Sequence, residues 1–275
     1  MKLFLIELAK EAGAIVKKYF YSQTSELSLK YKSKNNPVTR ADRESEEIIK
    51  NEILKKFPND EIICEESCPT VGKFNFRRDI RYWVIDPLDG TVNFWHKFPM
   101  FCISIAIIEN CEIAEGVVYN PITKELYYAK KDCGAYKNNK RISVSKICDL
   151  QSSLLVTGFP YYTYKNPKHI FALFNKFAIT AQAVRRLGSA ALDLCMVAEG
   201  IFEGFWEENL QIWDVAAGAL IVKEAGGKVT DYFGEENYLF NKTIIATNRY
   251  IHKEMLSIVQ SIITKSSTFE RRLKN

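Results

Sequence analysis

Apolar residues recur every three or four positions near the start of the chain: Leu5, Leu8, Ala12, Ile15, Val16 and Tyr19. That spacing gathers them on one face and predicts an amphipathic helix. Glu7, Lys10 and Glu11 interrupt the apolar run a signal peptide would need. A second helix is expected in PVTRADRESEEIIKNEILKKFP, with Ile48, Ile49, Ile53 and Leu54 as its buried stripe and Pro58 as its stop. The period then shortens. EIIC (61–64) reads as a short strand, and RYWVID (81–86) as a strand covered on both faces. FCISIAIIEN, EIAEGVVYN, ELYYAK and RISVS follow as an antiparallel meander.

The second half alternates. SLLVTGF reads as a strand, the stretch around His169–Phe177 as a helix, and a further helix follows Gly188. FEGFWE is a strand, and WDVAAGALIVKEAGG is a helix closed by glycines. KVTD and TIIATN are short strands, and a final helix covers roughly 251–263. Alternation of this kind suggests an α/β half after an α+β one. With no repeat or low-complexity linker, 1–275 is read as one domain, softly divided into 1–148 and 149–275.

Composition narrows the class. The chain is 47% hydrophobic and 26% charged, the balance of an ordinary globular domain. No stretch is long enough to span a membrane. Seven scattered cysteines without a CxxC pair suggest reduced thiols, so a cytoplasmic protein is expected. Part of the +5 net charge sits in the tail Lys265–Lys274, which reads as a solvated end and supports no nucleic-acid contact by itself.

The chemistry concentrates in VIDPLDGTVNF (84–94). Pro87 and Gly90 explain a turn. They do not explain Asp86, a carboxylate at the end of an apolar strand, where burial without a partner is costly. Asp86 and Asp89, with a backbone carbonyl such as that of Leu88, suit a hard cation. CEES adds Glu65 and Glu66 after a strand. Asp214 reads either as a helix N-cap or as a metal ligand, and Asp42 in TRAD either as part of a capping box or as a site residue. A helix starting after Gly90 would aim the amides of Gly90 and Thr91 at an anion. Competing chemistries are missing: there is no GxxxxGK[ST] loop, no GxSxG elbow, and the histidines His96, His169 and His252 lie far apart.

DPLDGTVNF and WDVAAGALIVKEAGG, with CEES and VRRLGSAALDLCMVAEG between them in the chain or beside them, resemble the signatures of the inositol monophosphatase family, in order over residues 39–231. The resemblance implies a layered α-β-α-β-α sandwich and a Mg²⁺-dependent, lithium-sensitive phosphatase. Glu65, Asp86 and the Leu88 carbonyl would hold one Mg²⁺, and Asp86, Asp89 and Asp214 a second. A weaker third ion would sit near Glu65, with Asp42 behind it through water and Glu66 in a supporting role; Mn²⁺ is an alternative metal. Thr91, paired with Glu65, would orient the attacking water. Glu207 would meet substrate hydroxyls, against the plainer reading of an exposed strand-end acid. Gly188, Ser189 and Ala190 would line the same pocket. Arg185 and Arg186 fit a subunit interface or structural role slightly better than a substrate contact. Inositol 1-phosphate is the expected substrate; fructose 1,6-bisphosphate, 3′-phosphoadenosine 5′-phosphate and histidinol phosphate are alternatives. The family is usually dimeric, and some bacterial members bind the transcription machinery, so a regulatory partner role stays open. PYYTYKNPKHIF (160–171) is expected to tune substrate choice.

Overall fold

The computed structural model describes residues 1–22, 30–33, 36–67, 76–161, 163–164 and 167–264. The basic tail and parts of the 160–171 stretch lie outside them. Helix α1 (Lys2–Tyr21) is followed by the strands β1 (Lys30–Ser33) and β2 (Asn36–Val38), which pair antiparallel. Helix α2 (Arg40–Lys56) starts at Thr39 in the expected capping box with Asp42. A seven-stranded sheet then forms from β3 (Glu61–Cys64), β4 (Tyr82–Asp89), β5 (Cys102–Glu109), β6 (Glu112–Asn120), β7 (Glu125–Lys130), β8 (Ala135–Lys137) and β9 (Lys140–Arg141), in that order. Only the β3–β4 pair is parallel. The short helix α3 (Thr91–Trp95) separates β4 from β5.

The second sheet comes from β10 (Leu154–Thr157), β11 (Ala183–Arg185), β12 (Gly204–Glu208), β13 (Lys228–Thr230) and β14 (Thr243–Thr247), ordered β11-β10-β12-β14-β13. Helix α4 (Lys168–Thr180) precedes β11, α5 (Ala190–Ala198) precedes β12, α6 (Ile212–Glu224) follows it, and α7 (His252–Ile263) ends the fold.

Side-chain alternation along the strands divides the apolar residues into layers. Trp83 and Ile85 of β4, with Ile103, Ile105 and Ile107 of β5, pack on Leu5, Leu8, Ala12 and Val16 of α1 and on Ile49 and Ile53 of α2. Their neighbours Tyr82, Val84, Ala106 and Ile108 face α5 and α6. The second sheet repeats the division: Phe205, Ile244 and Ala246 join α5 and α6, while Trp206 and Ile245 pack on α4 and α7. The order is helices, sheet, helices, sheet, helices, as expected. Helix α6 lies between two sheets, which is why Val215 to Val222 are buried all round rather than along a stripe. The break near residue 148 falls between the sheets, yet α5 and α6 share one core with both.

Two local expectations need correction. RISVS forms strand only at Lys140–Arg141; beyond it Val144 donates its N–H to Ala225 O (3.1 Å), so the chain leaves the meander to brace the end of α6. Leu54 is 43% exposed, because it stands one position, about 100° of helix turn, from the buried Ile53. β8 and β11 are too short to carry an alternation that a sequence reading can find.

Candidate active site

The fold brings Glu65, Asp86, Asp89, Asp214 and Glu207 to one cavity of about 530 Å³. Leu88, Gly90, Thr91, Gly188, Ser189 and Ala190 line it too. Glu65 enters directly after β3, whose parallel pairing to β4 brings it beside Asp86; its amide donates to Ile85 O at 3.2 Å.

The end of β4 is shaped for the task. Its register against β5 shifts between Asp86 and Asp89, where Asp86 pairs Ser104 and Asp89 pairs Cys102. This bulge accommodates Pro87, which has no N–H to give the ladder. Inside it the Leu88 amide donates to Asp86 Oδ1 (3.0 Å), and Ser45 Oγ donates to Pro87 O (2.9 Å). Gly90 then turns the chain into α3 with φ +94°, and a Cβ there would stand 2.9 Å from Met100 O. Both the angle and the close approach require glycine.

The other acids are pinned by backbone donors as well. Asp89 Oδ2 accepts from the Ala191 amide (2.8 Å) at the start of α5 and from Ser189 Oγ (2.6 Å). Asp214 Oδ2 accepts from the Gln211 amide (2.7 Å). Asp214 is therefore the third residue of α6 reaching back to the cap, not the N-cap itself.

Thr91 departs from the expected pairing. Its hydroxyl lies 2.9 Å from Asp42 Oδ1 and 3.1 Å from Leu88 O, so its acceptors are these rather than Glu65. Asp42 forms the capping box and also reaches Thr91. Oδ2 accepts from the Thr39 amide (2.8 Å) and hydroxyl (2.6 Å), while Oδ1 meets Thr91. The α2 capping box thus delivers a buried acid to the back of the site. Glu66 turns away into a separate groove beside Arg43 and Glu46, and its amide donates to Glu46 Oε2 at 2.8 Å.

Electrostatics mark the cavity. Burial, then repulsion from Glu65, Asp89 and Asp214, pushes the Asp86 carboxyl well above the carboxylate range. Burial, then Glu65 and Asp89, does the same to Asp214. Asp42 and Asp89 are each pushed up to about 6, chiefly by burial and against their hydrogen bonds. Among the described residues the lining holds no histidine or cysteine, so their metal-donor set is all oxygen and rich in carboxylate. That chemistry fits Mg²⁺ or Mn²⁺ and is wrong for soft-metal sites. Among the described residues no three acidic, His or Cys side chains stand as a finished metal cage; the acids share an open cavity and repel one another across it.

The outer wall holds groups a sequence reading mostly misses. Tyr161, Arg186 and Lys242 line it. Arg185 is exposed and its guanidinium donates to Val184 O (3.1 Å), while Arg186, also exposed, lines the cavity and so stands nearer the substrate-contact alternative than the interface or structural one. Tyr161 falls within the 160–171 stretch singled out for substrate choice. Asp193 on α5 is 1% exposed, with neither carboxyl oxygen hydrogen-bonded. An acid inside the apolar run AALDLCMVA was its available signal.

A model of the inositol monophosphatase family matches residues 1–264. The chain belongs to that family. The Nus factor SuhB of Pasteurella multocida is 42% identical over 259 residues, 94% of this chain and 95% of that protein. The inositol-1-monophosphatase of Mesorhizobium japonicum is 36% identical over 256 residues, 93% of this chain and 94% of that protein. Among solved structures, the inositol monophosphatase of Anabaena superposes with a TM-score of 0.81 at 37% identity, over 95% of this chain and 96% of that one. The extragenic suppressor protein suhB of Bartonella henselae gives 0.87 at 36%, over 94% and 98%. These inositol monophosphatase folds agree with the five layers described above. No described helix is long and apolar enough to cross a membrane.

Proposed function

We propose that the protein is a Mg²⁺-dependent phosphomonoesterase acting on myo-inositol 1-phosphate and similar polyol monophosphates. The observation that carries this reading is the set of mutually repelling carboxylates on one cavity wall, Asp86 buried and Glu65, Asp89 and Asp214 half-buried, three of them held by backbone N–H donors. Such a wall is costly without cations and becomes favourable with them. Glu65, Asp86, the Leu88 carbonyl, Asp89 and Asp214 would hold two Mg²⁺ ions, with Glu65 touching a weaker third. Bound divalent ions supply a nucleophilic water at neutral pH and neutralise the phosphate and its leaving oxygen.

The chain's own residues do the positioning. The Thr91 hydroxyl directs its proton to Asp42 or Leu88 O, which leaves oxygen lone pairs to accept from, and so orient, the attacking water. The amides of Gly90 and Thr91 suit the equatorial phosphate oxygens. Glu207, on the wall beyond Gly188–Ala190, suits the hydroxyls of a polyol.

The test is phosphate release with and without Mg²⁺ from inositol 1-phosphate, fructose 1,6-bisphosphate, 3′-phosphoadenosine 5′-phosphate and histidinol phosphate. Metal-dependent turnover of inositol 1-phosphate above the others is expected; preference for another compound moves the substrate assignment, and no turnover overturns the reading. Lithium inhibition and a homodimer belong to the same reading and are checked in the same preparation by inhibition assay and light scattering. The names of the Nus factor SuhB relatives favour a second reading, contact with the transcription machinery. Asp89→Asn separates the two, because it removes hydrolysis and should spare a binding surface.

A further inference from the structure

Asp193 is unexplained by the hydrolytic reading. It sits in the first turn of α5, is 1% exposed, and neither oxygen has a hydrogen-bond partner. A buried carboxylate in that condition is costly. The charge acting on it most strongly is Glu207 on β12, followed by Asp89 on β4, both repulsive; Arg186, after β11, is the attractive one. Glu207 is itself buried and is acted on by the same guanidinium, with Asp89 and Glu208 opposing. Its carboxylate lies flat against Gly158: a Cβ there would be 2.1 Å from Oε2 and 2.3 Å from Oε1. Arg186 reaches the pair by folding over Gly188, where a Cβ would be 2.3 Å from Nη1. Two buried acids therefore share one cation, and only one negative charge is balanced.

We propose, building on the phosphatase reading, that Asp193 is a positioning residue for polyol recognition: its carboxylic acid keeps the proton and donates it to Glu207 through one bridging water. Glu207 is then fixed with one oxygen engaged and the other free to accept from a substrate hydroxyl. The proton stays within the pair, and Arg186 balances the single remaining charge. Burial, then repulsion, raises Asp193 well above the carboxylate range and Glu207 to about 8, in keeping with a pair that retains a proton at neutral pH.

Two substrates separate positioning from mere structure: myo-inositol 1-phosphate, which offers hydroxyls to Glu207, and p-nitrophenyl phosphate, which offers none. Asp193→Asn keeps a neutral donor, so KM for inositol 1-phosphate should stay within about threefold of wild type, and the melting temperature at pH 7 should not fall. Asp193→Leu removes the donor and should raise that KM about tenfold, the scale of one lost hydrogen bond, with kcat/KM for p-nitrophenyl phosphate unchanged. Equal losses on both substrates would make Asp193 structural and overturn the proposal. So would an Asn variant as impaired or as destabilised as Leu, since a charged Asp193 would then be required. Absence of turnover on both substrates by wild type would overturn the phosphatase reading, and this one with it. Turnover with the wrong variant pattern would overturn this one alone.

Discussion

The two ends of the cavity hold their acids by different means. At the inner end Asp86, Asp89 and Asp214 each accept a backbone N–H, at 3.0, 2.8 and 2.7 Å. At the outer end Glu207 lines the cavity, and Asp193, which is not a lining residue, is buried in α5; Asp193 accepts no hydrogen bond and Glu207 is governed by burial and neighbouring charge. The inner acids are fixed in direction while their mutual repulsion stays unrelieved, which suits ligands waiting for cations. Glu207 is fixed by packing against Gly158 and by the charge of one guanidinium, which suits recognition of neutral hydroxyls. One end is built for charge and the other for shape and hydrogen bonding.

Removing an inner acid tests the contrast most severely. Asp89→Asn keeps an acceptor for Ser189 and Ala191 but removes a charge from the wall, and kcat for phosphate release should fall by about a thousandfold. A loss below tenfold would mean that charge at this end is dispensable. Thr91→Ala should cost about a hundredfold in kcat with little change in KM, because in the proposed mechanism the hydroxyl bound to Asp42 positions the nucleophile rather than the substrate. A change confined to KM would place Thr91 at the recognition end instead.

Stability offers a third test. Asp42 and Asp89 are raised from an ordinary 3.8 to about 6, so the folded state holds their protons more tightly than the unfolded chain does. Metal-free protein should therefore lose stability as pH rises from about 4 through 6, and the loss should be complete above that range. Mg²⁺ at a hundred times its Kd should return about 2.7 kcal/mol at neutral pH, and less near pH 5 where protons compete. Calorimetric melts in EDTA and in Mg²⁺ across this range measure both. A metal-free melting temperature that rises over the interval would contradict the inner-end electrostatics.

The same contrast governs what the sequence makes legible. Asp86 and Leu88 are two residues apart and Gln211 and Asp214 three apart, so their hydrogen bonds are written into short motifs that also carry the family resemblance. The layered fold follows from strand alternation, since neighbours such as Trp83 and Val84 must enter different layers. Thr91 and Asp42 lie 49 residues apart, and nothing local announces that the α2 cap will meet the β4 turn. Arg186 and Asp193 needed even more, because each acquires its role only when α5 packs between the sheets. Long-range packing, not local pattern, assembled the part of the site that sequence reading left open or missed.

The smallest expected effect is the sharpest test of the outer end. Gly158 makes no hydrogen bond to Glu207 through a side chain; it contributes only the absence of one. Gly158→Ala would introduce a methyl group at 2.1 to 2.3 Å from the whole carboxylate, well inside contact distance. Glu207 is the end of a flexible side chain, so it should swing aside while β10 and β12 stay paired. Hydroxyl recognition should weaken, raising KM for inositol 1-phosphate about tenfold. The inner acids hang from β4, α5 and α6 and should not respond, so turnover of p-nitrophenyl phosphate with Mg²⁺ should stay within about twofold. An equal fall on both substrates would show that the two ends are mechanically coupled, and the division of labour between them would have to be abandoned.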